Sequence, residues 1–564
     1  MTQPTRPLWI ARLAGTQEEM GRQHGELLRA HGGHEAAFDH YPDMPQRMLF
    51  GTAPRAVKAI ANAAAEAALR RLDRDRPDDF RARTHAFARA IGRTPAEGRY
   101  LAVMDVMQNA VGLASRLGAG PFVKQHAAKV MTRAAVPACS TVVAWGDRSA
   151  DGTIKHARNF DFPGNGVWDS APSLVLCAPS GGMRYGFVAT RGADTPVVSV
   201  WNEAGLVFTT HTRFHRDVRW GGATIVDLMH ALAARAETLD DAIAIARERP
   251  VSSTWGICAS SARERKAIVI EIHGRAVEIV EPSGDLLTCA NRYRHPRMQD
   301  GEATASHAWA MHSDARERRL RELAGSSKSD AMALARMLDD RIDPNAPGVV
   351  RRVGGVIAQP INVHAIVVEP EARSLLLAVG RAPACDGPWL RVSWDWSGPV
   401  GAWELPAHPP GITIDSIDPG TKPDEASVHL AEVARLEQTT HDADAMAAAL
   451  DRAIACAPDD PSLRLSAVWV QMARGDHARA IAEAKAGLAI ETIPYRRGQL
   501  LLWGARAASV TRDALLATAW RDELDGIPCD ELEDLKRRAR ADRRRRMWSA
   551  SRRPDASLFM ADAH

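Results

Sequence analysis

Thiol, guanidinium, carboxylate and amide groups follow one another in this chain in an order that could handle an acyl group. Pro137-Ala-Cys-Ser-Thr141 sets a cysteine after a small residue. An ionised thiol is a strong nucleophile, although a lone cysteine is more often a buried core thiol. His156-Ala-Arg-Asn-Phe-Asp-Phe162 follows the turn Asp151-Gly152 and brings Arg158 close to Asp161. A guanidinium near a thiol stabilises the thiolate, and a carboxylate can hold an amine in one orientation. A structural salt bridge at a hairpin is the plainer reading. Trp201-Asn-Glu-Ala-Gly-Leu206 places Asn202 ahead of a glycine turn. That asparagine either serves the turn or points its amide at an oxyanion. Leu287-Thr-Cys-Ala-Asn291 ends a strand on an asparagine, and Ser313 to Leu320 carries Arg316 and Arg319. On a helix those two arginines share a face, for which a solvated basic surface is the bland reading.

These residues need elements to hold them. Residues up to 138 read as mainly helical. Thr16 opens a helix with Glu19 at the capping-box position, and 56–72 is rich in good helix formers. From Cys139 the pattern changes to short apolar runs between turns, at 141–145, 173–177, 196–201, 205–210, 267–272 and 274–280. Helical segments follow at 224–248 and 312–323, and strands return at 362–368 and 374–379. Many strands around a central helical pair predict a layered α+β domain.

A Pro-, Gly- and Asp-rich linker over 406–425 leads into Ala-rich helices. There Ile454 and Leu488 occupy matching places 34 residues apart, which is the tetratricopeptide period. A generic helical bundle is the alternative. The end of the chain is strongly basic between Lys536 and Arg553, as a solvated helix end or a disordered tail would be, with a nucleic-acid or acidic-partner contact as the sharper alternative. The expected division is a helical segment 1–138, a catalytic core 139–405, the linker 406–425, a tetratricopeptide-like module 426–525 and a basic tail 526–564.

Bulk composition narrows the class. The chain has 564 residues, 45% hydrophobic and 25% charged, with a net charge of +3, ordinary for a globular protein. That charge does not predict nucleic-acid binding. The start lacks the basic-then-apolar pattern of a signal peptide, and no apolar run is long enough for a membrane span. The seven cysteines are scattered without C-x-x-C spacing, so no disulfide framework, metal site or cofactor is expected, and a cytoplasmic location fits.

Taken together, the ordered patches resemble a known family. Cys139-Ser-Thr-Val-Val-Ala-Trp-Gly146, Asp151-Gly152 and Arg158-Asn-Phe-Asp161 are similar to the nucleophile strand and partner hairpin of the autoproteolytic family typified by acyl-coenzyme A:6-aminopenicillanate acyltransferase. Gly15-Thr-Gln-Glu-Glu-Met-Gly-Arg-Gln-His-Gly25 resembles its N-terminal signature, and 366–380 its closing strand pair. The likeness spans about residues 8 to 390 and extends more distantly to choloylglycine hydrolases, all N-terminal-nucleophile (Ntn) hydrolases.

The resemblance implies a four-layer αββα fold and self-cleavage between Ala138 and Cys139. It implies an amidohydrolase acting on linear amide C–N bonds through a Cys139 thioester, or an acyltransferase that passes the acyl group to an amine. By the same likeness Asp161 holds the freed amine, Arg158 stabilises the thiolate, Asn202 and Asn291 serve the oxyanion or orient the amine, and Arg316 is a distal site residue. One departure stands out. Ala290-Asn291-Arg292-Tyr293 replaces the family's Thr-Asn-His, and the added charge of Arg292 favours an acidic substrate. Expected partners are a small amide or acyl substrate and, through the helical module, another protein. Two other classes stay open. One is a non-catalytic scaffold on a degenerate domain. The other is a papain-like Cys/His hydrolase using His156, His211, His307 or His364 as base.

Overall fold

A computed structural model describes residues 6–42, 55–102, 105–116, 138–249, 251–303 and 307–544. The basic tail beyond residue 544 lies outside the described residues. The chain forms two compact units, and neither is a single stretch of sequence. The first holds 1–303, 320–339 and 362–422; the second holds 304–319, 340–361 and 423–564.

Among the described residues, the first unit contains all the strands. In chain order they are β1 Trp9–Gly15, β2 Ala138–Ala144, β3 Lys155–Asp161, β4 Pro172–Pro179, β5 Tyr185–Thr190, β6 Ser199–Asn202, β7 Leu206–Thr212 and β8 Trp255–Ser261. Then come β9 Lys266–His273, β10 Ala276–Val280, β11 Leu286–Cys289, β12 Asn362–Glu369, β13 Ser374–Ala378, β14 Trp389–Ser393, β15 Gly401–Glu404 and β16 Ile414–Ile417. One sheet has nine strands in the order β10-β9-β8-β7-β6-β5-β4-β1-β15; the other has seven, β11-β2-β3-β12-β13-β14-β16.

The inner faces of the two sheets share one core. Leu174, Leu176, Trp201 and Val207 of the first meet Ile366, Val368, Leu375 and Leu377 of the second. Strands β2, β3, β7 and β12 are buried along their whole length. That double-sided burial explains the unbroken apolar stretches Val142–Ala144 of β2, Leu206–Phe208 of β7 and Ala365–Val368 of β12. Helices Ile225–Arg235 and Leu239–Glu248 pack on the nine-stranded sheet, and helix Ala331–Leu338 on β3 and β12 of the other. The segment expected as one helix over 224–248 is two helices, because Thr224 and Thr238 each form a capping box, with Asp227 and Asp241.

The N-terminal signature has a packing role. Thr16 and Glu19 form the expected capping box of helix Gln17–His31. Gly21 and Gly25 let that helix lie against helix Asp78–Ala90. A Cβ at Gly21 would stand 2.3 Å from the Arg83 carbonyl oxygen, and one at Gly25 2.7 Å from that of Phe87. Next to them His24 and Arg83 both bind the buried Asp194 carboxylate, at 2.9 and 2.7 Å. Burial alone would raise Asp194, but Arg83 and His24 hold it well below the usual carboxylate range. β1 adds a parallel pairing with β4 and an antiparallel one with β15. The segment before residue 138 is thus tied into the sheet by strand pairing and by buried charge.

The second unit is helical. Helices Glu425–Thr439, Ala443–Cys456, Pro461–Arg474, His477–Ile490, Pro494–Val510 and Ala514–Gly526 each pack on the next. Asp442 and Asp476, the N-caps of the second and fourth, are 34 residues apart. The segment 340–361 folds with these helices through paired charge. Arg351 grips Glu491 with two hydrogen bonds of 2.9 and 2.6 Å, and Arg352 binds Asp424 and Asp460. The structural division therefore departs from the linear one expected from sequence. Part of 139–405 belongs to the helical unit, and the expected linker contains β16, paired with β14.

Candidate active site

Cys139 is the second residue of β2 and is 1% exposed. β2 pairs with β3 so that Ala138 faces Asp161, Cys139 faces Phe160 and Thr141 faces Arg158. Because side chains alternate along a strand, Cys139, Thr141, Arg158 and Phe160 share the face turned toward the nine-stranded sheet. Thr141 reaches His211 of β7 at 2.9 Å across that gap.

Arg158 sits directly against the sulfur. Its Nη2 donates to Cys139 Sγ at 3.3 Å and to the Thr210 carbonyl at 2.6 Å, and its Nη1 donates to the Val198 carbonyl. The guanidinium carbon lies 4.9 Å from the Phe160 ring centroid. Among the described residues Arg158 makes no ion pair, so its charge faces the thiol with no carboxylate to cancel it.

Asn291 sits two residues past the end of β11. Its Oδ1 accepts the Cys139 backbone N–H at 2.9 Å, and its Nδ2 donates to the Thr212 carbonyl at 3.0 Å. The asparagine oxygen thus addresses the nitrogen that self-cleavage would turn into an amine. Asp161 lies across from Ala138, fully buried. Asn362 donates to its Oδ1 at 2.8 Å and accepts the Cys385 N–H at 2.9 Å. Asn362 went unnoticed in the sequence, where it reads as the first residue of a strand. The available signal was a polar side chain opening an otherwise apolar run.

One expected residue, Asn202, does not come to this group. Asn202 spends its amide elsewhere: Nδ2 donates to the Ala233 and Ala236 carbonyls, and Oδ1 accepts the Leu206 N–H. With both protons committed to a helix end, it offers no donor to an oxyanion at Cys139. Arg316 is buried in the second unit. Arg292 is paired with the nearly buried Glu302 at 2.8 Å. Its charge is therefore balanced, and the expectation of an acidic substrate loses its physical basis.

Two of the candidate histidines are committed too. His156 bonds Ser260 and Thr209, and His211 bonds Thr141. Burial, reinforced by His211 and Arg158, lowers His156 to about 3. Burial and then Arg158 lower His364 to about 3. Rings this hard to protonate are poor proton acceptors near neutral pH.

No helix among the described residues is long and apolar enough to cross a membrane. Among curated proteins no match to the chain is found. Among solved structures, an N-acylethanolamine-hydrolyzing acid amidase ortholog from Caenorhabditis elegans aligns at 14% identity, covering 48% of this chain and 100% of that one, with a TM-score of 0.29. A mutant conjugated bile acid hydrolase from Clostridium perfringens aligns at 10% identity over 50% of this chain and 98% of its own, with a TM-score of 0.28. The family comparison is more direct. It begins past Cys139 and takes in Arg158, Asp161, Asn202, Asn291, Arg316 and Asn362. Over residues 153–382 the chain matches the acyl-coenzyme A:6-aminopenicillanic acid acyl-transferase family, the family its motifs resemble.

Proposed function

We propose that this protein is a self-cleaving Ntn amidohydrolase that works on linear amide C–N bonds through a Cys139 thioester. One observation carries the reading: Cys139 has its sulfur against the uncompensated Arg158 and its backbone nitrogen on Asn291. Two sheets with helices packed on each suit the αββα arrangement of that class.

In the uncut chain the Cys139 nitrogen is an amide and cannot act as a base. Sγ adds to the Ala138 carbonyl, the C–N bond breaks, and the acyl group moves to sulfur. Water then hydrolyses the thioester, leaving a carboxylate on Ala138 and a free amine on Cys139. An α-amine titrates near about 8, against about 10.4 for a lysine. It can therefore take the thiol proton near neutral pH without a histidine. Asn291 and Asp161 orient it. The thiolate, opposite Arg158, attacks the substrate carbonyl. The leaving amine takes the proton, and water resolves the acyl-enzyme. Strand pairing of β1 and the Asp194 ion pairs would keep 1–138 bound to 139–564.

Acyl transfer differs only in the last step, where an amine replaces water. The name of the matching family favours keeping that outcome open. The helical unit, with its 34-residue spacing, is proposed as a tetratricopeptide-like surface for a protein partner.

Intact-mass analysis of the purified protein tests the reading. Two fragments are expected, the larger starting at Cys139, with Cys139→Ala remaining full length. A wild-type chain that stays uncut yet hydrolyses simple acyl amides would overturn it. Adding an amine acceptor to the assay separates transfer from hydrolysis.

A further inference from the structure

A second sulfur cluster lies in the same inter-sheet layer, close to Cys139 in strand register but built from other residues. His211 of β7, Cys258 of β8 and Cys289 of β11 each place one ligand atom within 4.8 Å of the other two. All three side chains are buried. His211 Nε2 stands 3.7 Å from Cys258 Sγ. In a tetrahedral zinc site, bond lengths of about 2.3 Å to sulfur and about 2.0 Å to nitrogen put those two atoms about 3.5 Å apart. Thr141 Oγ1, 2.9 Å from the same ring nitrogen, borders the open side, where a fourth oxygen ligand or a water would sit.

The local charge suits a dication. Arg213 donates to Cys289 Sγ at 3.3 Å, but Glu271 neutralises it through a buried ion pair. Glu271 is itself held by the backbone N–H groups of Arg294 and His295. Two thiolates and a divalent metal would then complete a site of zero net charge, the arrangement in which burial costs least.

We propose that His211, Cys258 and Cys289 bind a thiophilic divalent cation of the zinc type as a structural clip between the two sheets, with an oxygen ligand or a water in the fourth position. His211 and Cys258 belong to the nine-stranded sheet and Cys289 to the seven-stranded one. Cys289 pairs with Thr141, two residues from Cys139, and precedes Asn291 by two residues. The clip fixes the strand end that presents Asn291 to the Cys139 nitrogen. Its ligands come from strands far apart in the sequence, so no C-x-x-C spacing announces it.

The test is the metal content of the full-length protein grown with zinc, read by elemental mass spectrometry. About one zinc per chain is expected in the wild type and in Cys529→Ser, and less than about one tenth in Cys258→Ser or Cys289→Ser. Should those variants fail to fold, chelator-stripped wild type reloaded with cobalt supplies the second measurement. It should show a sulfur-to-cobalt charge-transfer band, and zinc should raise its melting temperature where magnesium does not. Metal below one tenth per chain after zinc reconstitution, metal retained in the cysteine variants, or a mass deficit marking a Cys258–Cys289 disulfide would each overturn the proposal. None of these readouts depends on self-cleavage or amidase activity, so the clip stands or falls apart from the proposed reaction.

Discussion

Two buried arginines in this protein donate to a cysteine sulfur at the same distance, yet their surroundings differ. Arg158 reaches Cys139 and Arg213 reaches Cys289, each through Nη2 at 3.3 Å. Each also lies over an aromatic ring, Phe160 at 4.9 Å and Tyr293 at 5.1 Å. The remaining partners of Arg158 are neutral carbonyls, whereas Arg213 is paired with Glu271. The two guanidinium-to-sulfur contacts therefore differ in compensation: among the described residues no carboxylate pairs with Arg158, whereas Glu271 balances Arg213.

The most severe test replaces the two sulfurs. Cys139→Ala should leave the chain uncut and lower amide hydrolysis by about 10⁴-fold or more, as removal of a nucleophile does elsewhere. Cys289→Ala should still cut itself, by intact mass. The reverse pattern would mean the wrong sulfur has been assigned. Next come the arginines. Arg213→Met strands the Glu271 carboxylate in the core, and breaking a buried pair in this way costs about 3–5 kcal/mol. Denaturant unfolding should show that loss. Arg158→Met strands no charge. It leaves the Val198 and Thr210 carbonyls short of a donor, at about 1–3 kcal/mol each. Its sharper effect should be on rate, a fall in kcat/KM of about 10²-fold or more in whatever fraction is cut. An Arg158 variant that loses only stability would erase the distinction between the two sites.

The asparagines around Cys139 refine the same contrast with smaller effects. Asn291→Ala removes the acceptor of the Cys139 N–H. A fall in rate of about 10²-fold is expected, on the scale of losing one positioned hydrogen-bonding group. Asn362 touches Asp161 and not the thiol. As a positioning residue it should matter less: Asn362→Ala should lower kcat by about tenfold with KM nearly unchanged. A rise in KM alone would place Asn362 in substrate binding instead.

What the sequence revealed and what it hid follow from the range of the interactions. The capping box at Thr16 and Glu19, the apolar strands and the neighbouring Arg158 and Asp161 are local patterns, and all were readable. Asn202 was ambiguous because its motif is also local. Its oxygen takes the Leu206 N–H, so the turn reading of Asn-Glu-Ala-Gly accounts for it. The hidden features are long-range. Asn362 meets Asp161 only after β12 pairs with β3, and Arg213 finds Glu271 across the sheet. The segment 340–361 joins the helical unit because Arg351 and Arg352 find Glu491, Asp424 and Asp460 there. No periodicity in the chain encodes such pairs.

The mildest prediction concerns acid, and it probes the layer that both sulfur sites share. His156 bonds Ser260 and Thr209, both of the nine-stranded sheet. Burial is the main reason its proton affinity falls to about 3, and the positive charge of Arg158 deepens the effect. In the unfolded chain a histidine titrates near about 6.5. Above that pH neither state binds the proton, and the stability of the fold is complete. Below it the unfolded chain takes up a proton that the folded chain refuses until about 3. Stability should therefore fall as pH drops from about 6.5, with a slope of about 1.4 kcal/mol per pH unit for each such histidine. His364, lowered to about 3 for the same reason, adds to it. His156→Gln should flatten the curve of unfolding free energy against pH by one histidine's share. An unchanged slope would mean that His156 is protonated in the folded state, and a second cation would then face the layer where Arg158 has no carboxylate to balance it.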